Sequence, residues 1–573
     1  MLKHFIRRIR EYKKDVILAS SFMVLAVVLE AIIPYLMSII IDSGIAINDM
    51  GAVLNIGGML ILASLMSLFL GLLSSKYLAI ASAGFAKNVR KDIYHHVTTF
   101  PFQSIDKFST ESLITRLTTD ISSIQSAFSL SLRVCSRSPL LMLFSLFMAF
   151  TINPRLSLVF IFVLPFLAIL IAIVIRIAFP LFRIALKTYD SQNQVVSENL
   201  KGIRVVKSFV REDYEVEKFK RVSSKMFETF SVAEKIVAFF NPAMNLAIYL
   251  CMILIAWFGA HLVIVQDMTV GQLMSFIIYI NQILFALIMM SMMFITIVMS
   301  RASAERIVEV FEEEIVLQNP KNGVTIIPDG NIKFENVSFG YSEGKYVLQN
   351  LNLTIKEGET IGILGGTGSS KTSLVQLIPR LYDVVEGSVK VGGIDVRNID
   401  LVTLRNHISM VLQKNTLFKG TIASNLKWGN PNATKEQMDE ACKMTKVYDF
   451  IMDLKDGYES KVNQGGMNFS GGQRQRLCIA RAILKKPKVF IFDDSTSSVD
   501  TSTEREIMET IKQNLPKSTK IIISQRIYSV KDLDTIILMD ERKIVAIGDH
   551  NSLLKTSEIY NEIYKTQSKE EIL

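Results

Sequence analysis

A six-span α-helical transmembrane domain with long cytoplasmic helices, followed by a soluble α/β domain, is the fold class this sequence predicts. Three observations carry the prediction. The chain has 573 residues, too many for one ordinary domain. Half of it is apolar and its mean hydropathy is positive. The apolar runs stop near Arg301, and short alternating strand and helix patterns take over beyond it.

A bilayer core of about 30 Å takes roughly 20 helical residues to cross. Six segments are long and apolar enough, near 16–41, 53–75, 139–152, 156–179, 237–265 and 270–299. They predict a transmembrane domain over 1–311, a linker over 312–329 and a second domain over 330–573. The third segment is short, so its helix is expected to extend back through Leu130 and Leu132, and Asn153-Pro154 makes a tight turn into the fourth. Lys3, Arg7, Arg8, Arg10, Lys13 and Lys14 precede the first span, whereas the loop after it carries only Asp42 and Asp49. Positive residues are retained on the cytoplasmic side, so both termini are placed there.

The basic stretches 76–138 and 180–236 then lie inside, with helical composition and few glycines. Their hairpin tips are expected at Phe100–Phe108 and Val210–Phe219. The apolar run after the basic N-terminus is a full span long and lacks a small-residue cleavage site, so no signal peptide is read. A net charge of +9 raises the question of nucleic acid, but the basic residues are dispersed and no nucleic-acid partner is expected. Cys135, Cys251, Cys442 and Cys478 are far apart, without zinc-like or redox-like spacing, and read as apolar fillers.

The soluble part carries the chemistry. The run TIGILGGTGSSKTSLVQLI sets an apolar strand, a Gly-rich loop and a helix in the order a phosphate cradle requires. Gly365, Gly366, Thr367, Gly368, Ser369 and Ser370 form the loop, with Gly365 and Gly368 letting backbone N–H groups approach phosphates. Lys371 adds positive charge, Thr372 a hydroxyl for magnesium, and Ser373 leads into the helix. Glycine usually precedes this lysine. Ser370 fits there in right-handed backbone and costs of order 1 kcal/mol if the position must be left-handed. The strand KVFIFDD reads as buried on both faces and ends in Asp493-Asp494, with Asp493 placed to hold magnesium partly through water. Gln413 stands between these motifs. In FSGGQRQR, Ser470, Gly471, Gly472 and Gln473 bring a hydroxyl, open backbone and a helix N-terminus to one anion site.

On these motifs the stretch from Asn331 to about His550 resembles the nucleotide-binding domain of ABC transporters, whose signature is SGGQ. The resemblance implies a P-loop ATPase domain of ABC type that uses ATP and Mg2+. It makes Tyr341 the adenine-stacking residue, Gly365–Thr372 the Walker A loop and Gln413 the Q-loop residue, near magnesium and the attacking water. Val489–Asp493 becomes Walker B and Ser497–Asp500 the D-loop. Six spans before such a domain resemble a half-transporter of the bacterial multidrug exporter kind. That implies a multi-pass protein of a bacterial inner or plasma membrane, working as a dimer. Nucleotide then lies between the Walker motifs of one domain and the signature of the other, and the hairpin tips act as coupling helices.

Departures from the family pattern sharpen this. Asp494 stands where the family has the Glu that polarises water. It lacks one methylene, so its carboxylate retreats by roughly 1.5 Å, enough to lose a general-base reach of about 3 Å. Gln525, in IIISQR, replaces the switch His and cannot become cationic near neutral pH. Ser370, Asp494, Gln525 and Gln464 are assigned to this chain's own half-site, while the signature is intact. The pattern resembles the degenerate-site subunit of heterodimeric exporters, whose partner half supplies Glu and His. A slow homodimer is the alternative.

For the cargo, the sixth span offers Met274, Met289, Met290, Met292, Met293 and Met299 among Phe276, Phe285 and Phe294, an adaptable apolar surface. Met289 and Met293 are assigned to a substrate pathway, with a lipid-facing or helix-packing stripe as the competing reading. Glu30, inside the first span near Pro34, either attracts cationic compounds or makes a structural hydrogen bond between helices. Export of hydrophobic or cationic drugs is the leading expectation. A dedicated exporter of a peptide or lipid, or an importer on the same scaffold, comes next, and a regulatory ATP-binding partner last.

Overall fold

The computed structural model describes residues 2–342, 344–494 and 501–570. Two compact units divide the chain: Met1–Thr98 with Ser109–Glu313, and Thr99–Phe108 with Glu314–Leu573.

The first unit is helical, since within a bilayer a helix satisfies its own backbone polar groups. In chain order the helices used below are α1 (Lys13–Ile39), α2 (Met50–Thr98), α3 (Phe102–Phe108, grouped with the second unit), α4 (Ile121–Ile152), α5 (Pro154–Lys201), α6 (Ile203–Ser208), α7 (Glu212–Ile264) and α8 (Val270–Glu312). Among the described residues, four helical stretches are long and apolar enough to cross a membrane: Arg10–Ile45, Met50–Thr98, Thr110–Ile152 and Val270–Glu312. The fourth and fifth predicted spans lie on α5 and α7.

Small residues let α1 and α2 approach, with Ala19, Ala26, Ala31, Ser74 and Ala81 all buried. The Ser74 hydroxyl donates to the Ala19 carbonyl at 2.7 Å. Pro34 has no N–H for the Glu30 carbonyl four residues back. Gln282 of α8 supplies the missing donor, its Nε2 lying 3.2 Å from Glu30 O, while its own Oε1 accepts from Ser145 of α4 at 2.7 Å. Tyr279 donates to the Ala31 carbonyl at 2.9 Å and Ser275 to that of Pro34 at 2.5 Å. Asp42, in the wide helical turn Ile40–Ile45, caps α8 by accepting from Thr269 Oγ1 and Gly271 N at 2.6 and 2.9 Å. A Cβ at Gly271 would fall 2.4 Å from Ser38 O. The Asn153 side chain caps α5 with Pro154 at its first turn.

At the other end of α8, Arg306 binds Asp120 and Arg116 Nη2 lies 2.7 Å from Glu309. The hairpin between α5 and α7 turns at residues 202–211, around α6. The predicted tip at Val210–Phe219 therefore shifts toward the N-terminus. Val210 has a left-handed φ of 50°, and from Glu212 the chain is already the returning helix, with Glu212, Asp213 and Glu215 in its first turn.

The second unit holds strands β1 (Ile332–Phe339), β2 (Leu348–Ile355), β3 (Thr360–Leu364), β4 (Glu386–Val391), β5 (Ile394–Asp395), β6 (Ile408–Val411), β7 (Gly420–Thr421), β8 (Lys461–Val462), β9 (Val489–Asp493), β10 (Thr519–Ser524), β11 (Thr535–Asp540) and β12 (Lys543–Gly548). An antiparallel sheet has the order β2-β1-β4-β5, and a six-stranded sheet the order β12-β11-β3-β10-β9-β6. In the latter every pairing is parallel except β11 with β12. β3, β9 and β10 are buried along their whole length, as strands covered on both faces must be. Alternation along β9 sends Phe490 and Phe492 into one core and Val489 and Ile491 into the other.

Candidate functional site

Four parallel neighbours, β3, β10, β9 and β6, end on the same side of their sheet, and each is followed directly by a predicted site residue. The Gly-rich loop follows β3, Gln525 follows β10, Asp493 and Asp494 close β9, and Gln413 lies just past β6. Ligands of α/β sheets bind outside the carboxyl ends of the strands, and strand order is what joins residues so distant in sequence.

The loop leads into α9 (Lys371–Gln376). Gly365 is buried against the end of β11, where a Cβ would meet Met539 O at 2.3 Å, whereas Gly366 and Gly368 have open space. Ser370 is left-handed, with φ 69° and ψ 22°, the costly case for a side-chain-bearing residue. Lys371 Nζ donates to the carbonyls of Gly365 and Gly366, both at 2.8 Å, and to Ser369 Oγ at 3.2 Å. Burial pushes the Lys371 ammonium below its usual range, and the nearby carboxylates of Asp494 and Asp493 oppose that. Thr372 Oγ1 donates to Asp493 Oδ1 at 2.8 Å. Burial raises the Asp493 carboxyl, and the Thr372 bond pulls it back.

This hydroxyl and buried carboxylate suit a hard divalent cation that keeps phosphate and water ligands. No cage of three or more His, Cys, Asp or Glu occurs among the described residues. The Thr372 hydroxyl with the Asp493 carboxylate fits magnesium carried with a nucleotide. Asp494 also has a left-handed φ, 45°. Its Oδ2 accepts from Gln413 Nε2 at 3.3 Å, and its N–H donates to Ile523 O at 3.1 Å. Gln525 Oε1 accepts from Thr367 Oγ1 at 3.3 Å.

Tyr341 is 41 % exposed, packs edge-on against Phe339 and Tyr382, and its hydroxyl lies 2.9 Å from Ser373 Oγ and 3.2 Å from Gln376 Oε1. Burial of the ring's polar end raises its phenol. Tyr382, which lies in none of the sequence motifs, donates to Asp106 of α3 at 2.7 Å and packs near Phe102. An Asp in the hairpin tip and a Tyr just after the phosphate-loop helix were each visible, but not their pairing.

Ser470–Gln473 stands apart from this cluster. Ser470 caps α10 (Gly471–Ile483), its Oγ accepting from Gln473 N at 3.3 Å while Gln473 Oε1 accepts from Ser470 N at 2.8 Å. No hydrogen bond among the described residues joins these four to the Walker residues. Gln464 goes with the signature and not with the Walker half to which it was assigned. Its turn, Gln464–Gly466, is tied to α10 by Arg474 Nη1, which donates to the carbonyls of Gly466 and Phe469. Ser497–Asp500 lies outside the described residues.

In the helical unit, Glu30 Oε1 lies 2.6 Å from Arg137 Nη2 of α4, an ion pair that neutralises the charge expected to draw cations. Met289 is half-buried. Met293 is 6 % exposed, with Sδ 3.5 Å from Cys135 Sγ, and so packs inside the unit. The exposed line of α8 carries Ile278, Phe285, Met292 and Met299 at seven-residue spacing, and Met293 is rotated about 100° from it.

A nucleotide-driven membrane transporter is the class of protein that these two units define. Family models match them separately, the ABC transporter transmembrane region over residues 16–288 and the ABC transporter domain over residues 348–497. The chain belongs to the ABC transporter family, with membrane and ATPase domains fused in the exporter manner, and is a multi-pass membrane protein. It is 34 % identical over 96 % of both lengths to the uncharacterized ABC transporter ATP-binding protein YfiB of Bacillus subtilis. It is 31 % identical to an ATP-dependent lipid A-core flippase of Desulfotalea psychrophila, over 84 % of each chain. A bacterial Atm1-family ABC exporter solved with ATP bound superposes with a TM-score of 0.80 over 98 % of both chains at 22 % identity, which shows a shared fold.

Proposed function

We propose that this chain is the degenerate half of a heterodimeric exporter of hydrophobic compounds, holding Mg-ATP at its own Walker site and hydrolysing it slowly. The observation that carries the reading is Asp494. Its shortened carboxylate stands at the general-base position and is occupied by Gln413. Gln525, beside Thr367, adds a switch residue that takes no proton. The loop N–H groups and Lys371 would hold the phosphates, and Thr372 with Asp493 the magnesium. Bound magnesium supplies charge neutralisation at the phosphates. Ser470–Gln473, intact and with its hydrogen bonds among the described residues kept to its own helix end, fits service at the site of a partner half that has the Walker B Glu and switch His. The exposed apolar side chains of the α6 hairpin, Val205, Phe209 and Val210, favour a protein contact beyond this chain.

Magnesium-dependent hydrolysis by the purified chain alone tests this. Turnover is expected to be slow and insensitive to Asp494→Ala. Robust turnover abolished by that substitution would establish the homodimer instead. A lipid substrate is the second reading, favoured by the charge pairing inside the membrane unit.

A further inference from the structure

Glu30 lies about 22 Å of helix below Ile45, and Arg137 about 22 Å below Ile152. In a bilayer core of about 30 Å both therefore sit in the inner half, given the cytoplasmic N-terminus. Arg133, one turn nearer the cytoplasm on the same face of α4, reaches the inner boundary. It is exposed and has no ionic or hydrogen-bond partner among the described residues. The Arg137 side chain is 40 % exposed despite its pairing and Glu30 is 31 % exposed, so both are reachable from outside the unit. One of the five Arg137 N–H donors meets Glu30. Glu30 is buttressed from behind, where Gln282 holds its carbonyl.

An exposed guanidinium at this depth cannot face lipid tails without large cost, so this face of α4 turns toward water or another polypeptide. Two cations and one anion there leave a net positive charge. From this geometry we propose that Arg133 and Arg137 form a binding site for the anionic headgroup, phosphate or carboxylate, of an amphiphile taken from the cytoplasmic leaflet. Glu30 acts as the internal counter-ion that the headgroup displaces from Arg137. The apolar chain runs outward along the membrane, and the adaptable side chains Phe285 and Met292 of α8 suit such a chain. This deepens the exporter reading by naming its substrate class and rests on it. It also reverses the expectation that Glu30 attracts cations.

Equilibrium binding of radiolabelled dodecyl phosphate to the full chain in phosphatidylcholine nanodiscs tests the site without needing transport. Saturable binding is expected. Inorganic phosphate should compete at least a hundredfold more weakly, and dodecyltrimethylammonium should not compete. Arg133→Gln should weaken binding about tenfold, and Glu30→Gln should tighten it severalfold by releasing Arg137. The exchange Glu30→Arg with Arg137→Glu keeps an ion pair, so a purely structural role predicts unchanged binding, whereas the site predicts its loss. ATP binding by each variant reports folding. Unchanged dodecyl phosphate binding in both Arg133→Gln and the exchange variant overturns the proposal, as does preferential binding of the ammonium amphiphile. Binding of dodecyl phosphate with no export by the paired halves would instead overturn the exporter reading and leave the site standing.

Discussion

Ser370 and Asp494 flank the phosphate loop as two side-chain-bearing residues in left-handed backbone. That conformation costs about 1–2 kcal/mol outside glycine, and glycine would return roughly 0.5–1 of it through the unfolded chain. Ser370→Gly should therefore raise the calorimetric unfolding transition of the ATPase unit by about 2 °C. A lowered transition would mean that the serine side chain makes a compensating bond. Asp494→Glu combined with Gln525→His should raise hydrolysis at the chain's own site about a hundredfold, the lower end of what a positioned base contributes. Steady-state phosphate release by the purified chain measures it, and no gain would overturn the proposal that these two residues limit hydrolysis.

The helix α3 stands out among the elements because it belongs with the ATPase unit while its chain neighbours belong to the membrane unit. Its Asp106 accepts from Tyr382, and Tyr382 meets Tyr341, whose hydroxyl reaches Ser373 beside the phosphate loop. A hydrogen bond to a charged acceptor contributes about 1.5–3 kcal/mol. Tyr382→Phe keeps the ring contacts and removes that bond. It should lower the ratio of substrate-stimulated to basal hydrolysis severalfold and leave ATP affinity within twofold. An unchanged ratio would show that α3 is coupled through its apolar contacts alone. Apolar and polar composition placed a tip at Phe100–Phe108, and the helix there is Phe102–Phe108. The second tip moved because Glu212, Asp213 and Glu215 mark a helix start, a signal that was readable at the N-terminal end of α7.

The proposed asymmetry between two halves is tested only in the assembled dimer. Under the proposed pairing with an intact half, Ser470→Ala in this chain should lower hydrolysis at least tenfold, while the same change in the partner's signature should alter it less than twofold. The substitution also removes a helix cap worth about 0.5–2 kcal/mol, so ATP binding at this chain's Walker site serves as the folding control. Equal effects from both halves would mean that both sites turn over. The ion pair of Glu30 with Arg137 belongs to the same scale, because the proposed headgroup site turns on the charge that this pair leaves.

The layout of apolar spans, the phosphate loop, the acidic strand end and the signature were legible in the amino-acid order, because each is a local pattern whose residues act within a few positions of one another. That order also flagged Ser370, Asp494 and Gln525 as departures, since a motif shows its own exceptions. Tertiary structure alone decided the partners. Parallel strand order brought Gln413 to Asp494 and Gln525 to Thr367, and helix packing set Arg137 against Glu30 and Gln282 behind Pro34. Those contacts join residues tens to hundreds of positions apart. The need of each buried polar group for a partner is a rule the sequence obeys, but the partner's identity is fixed only where the elements meet.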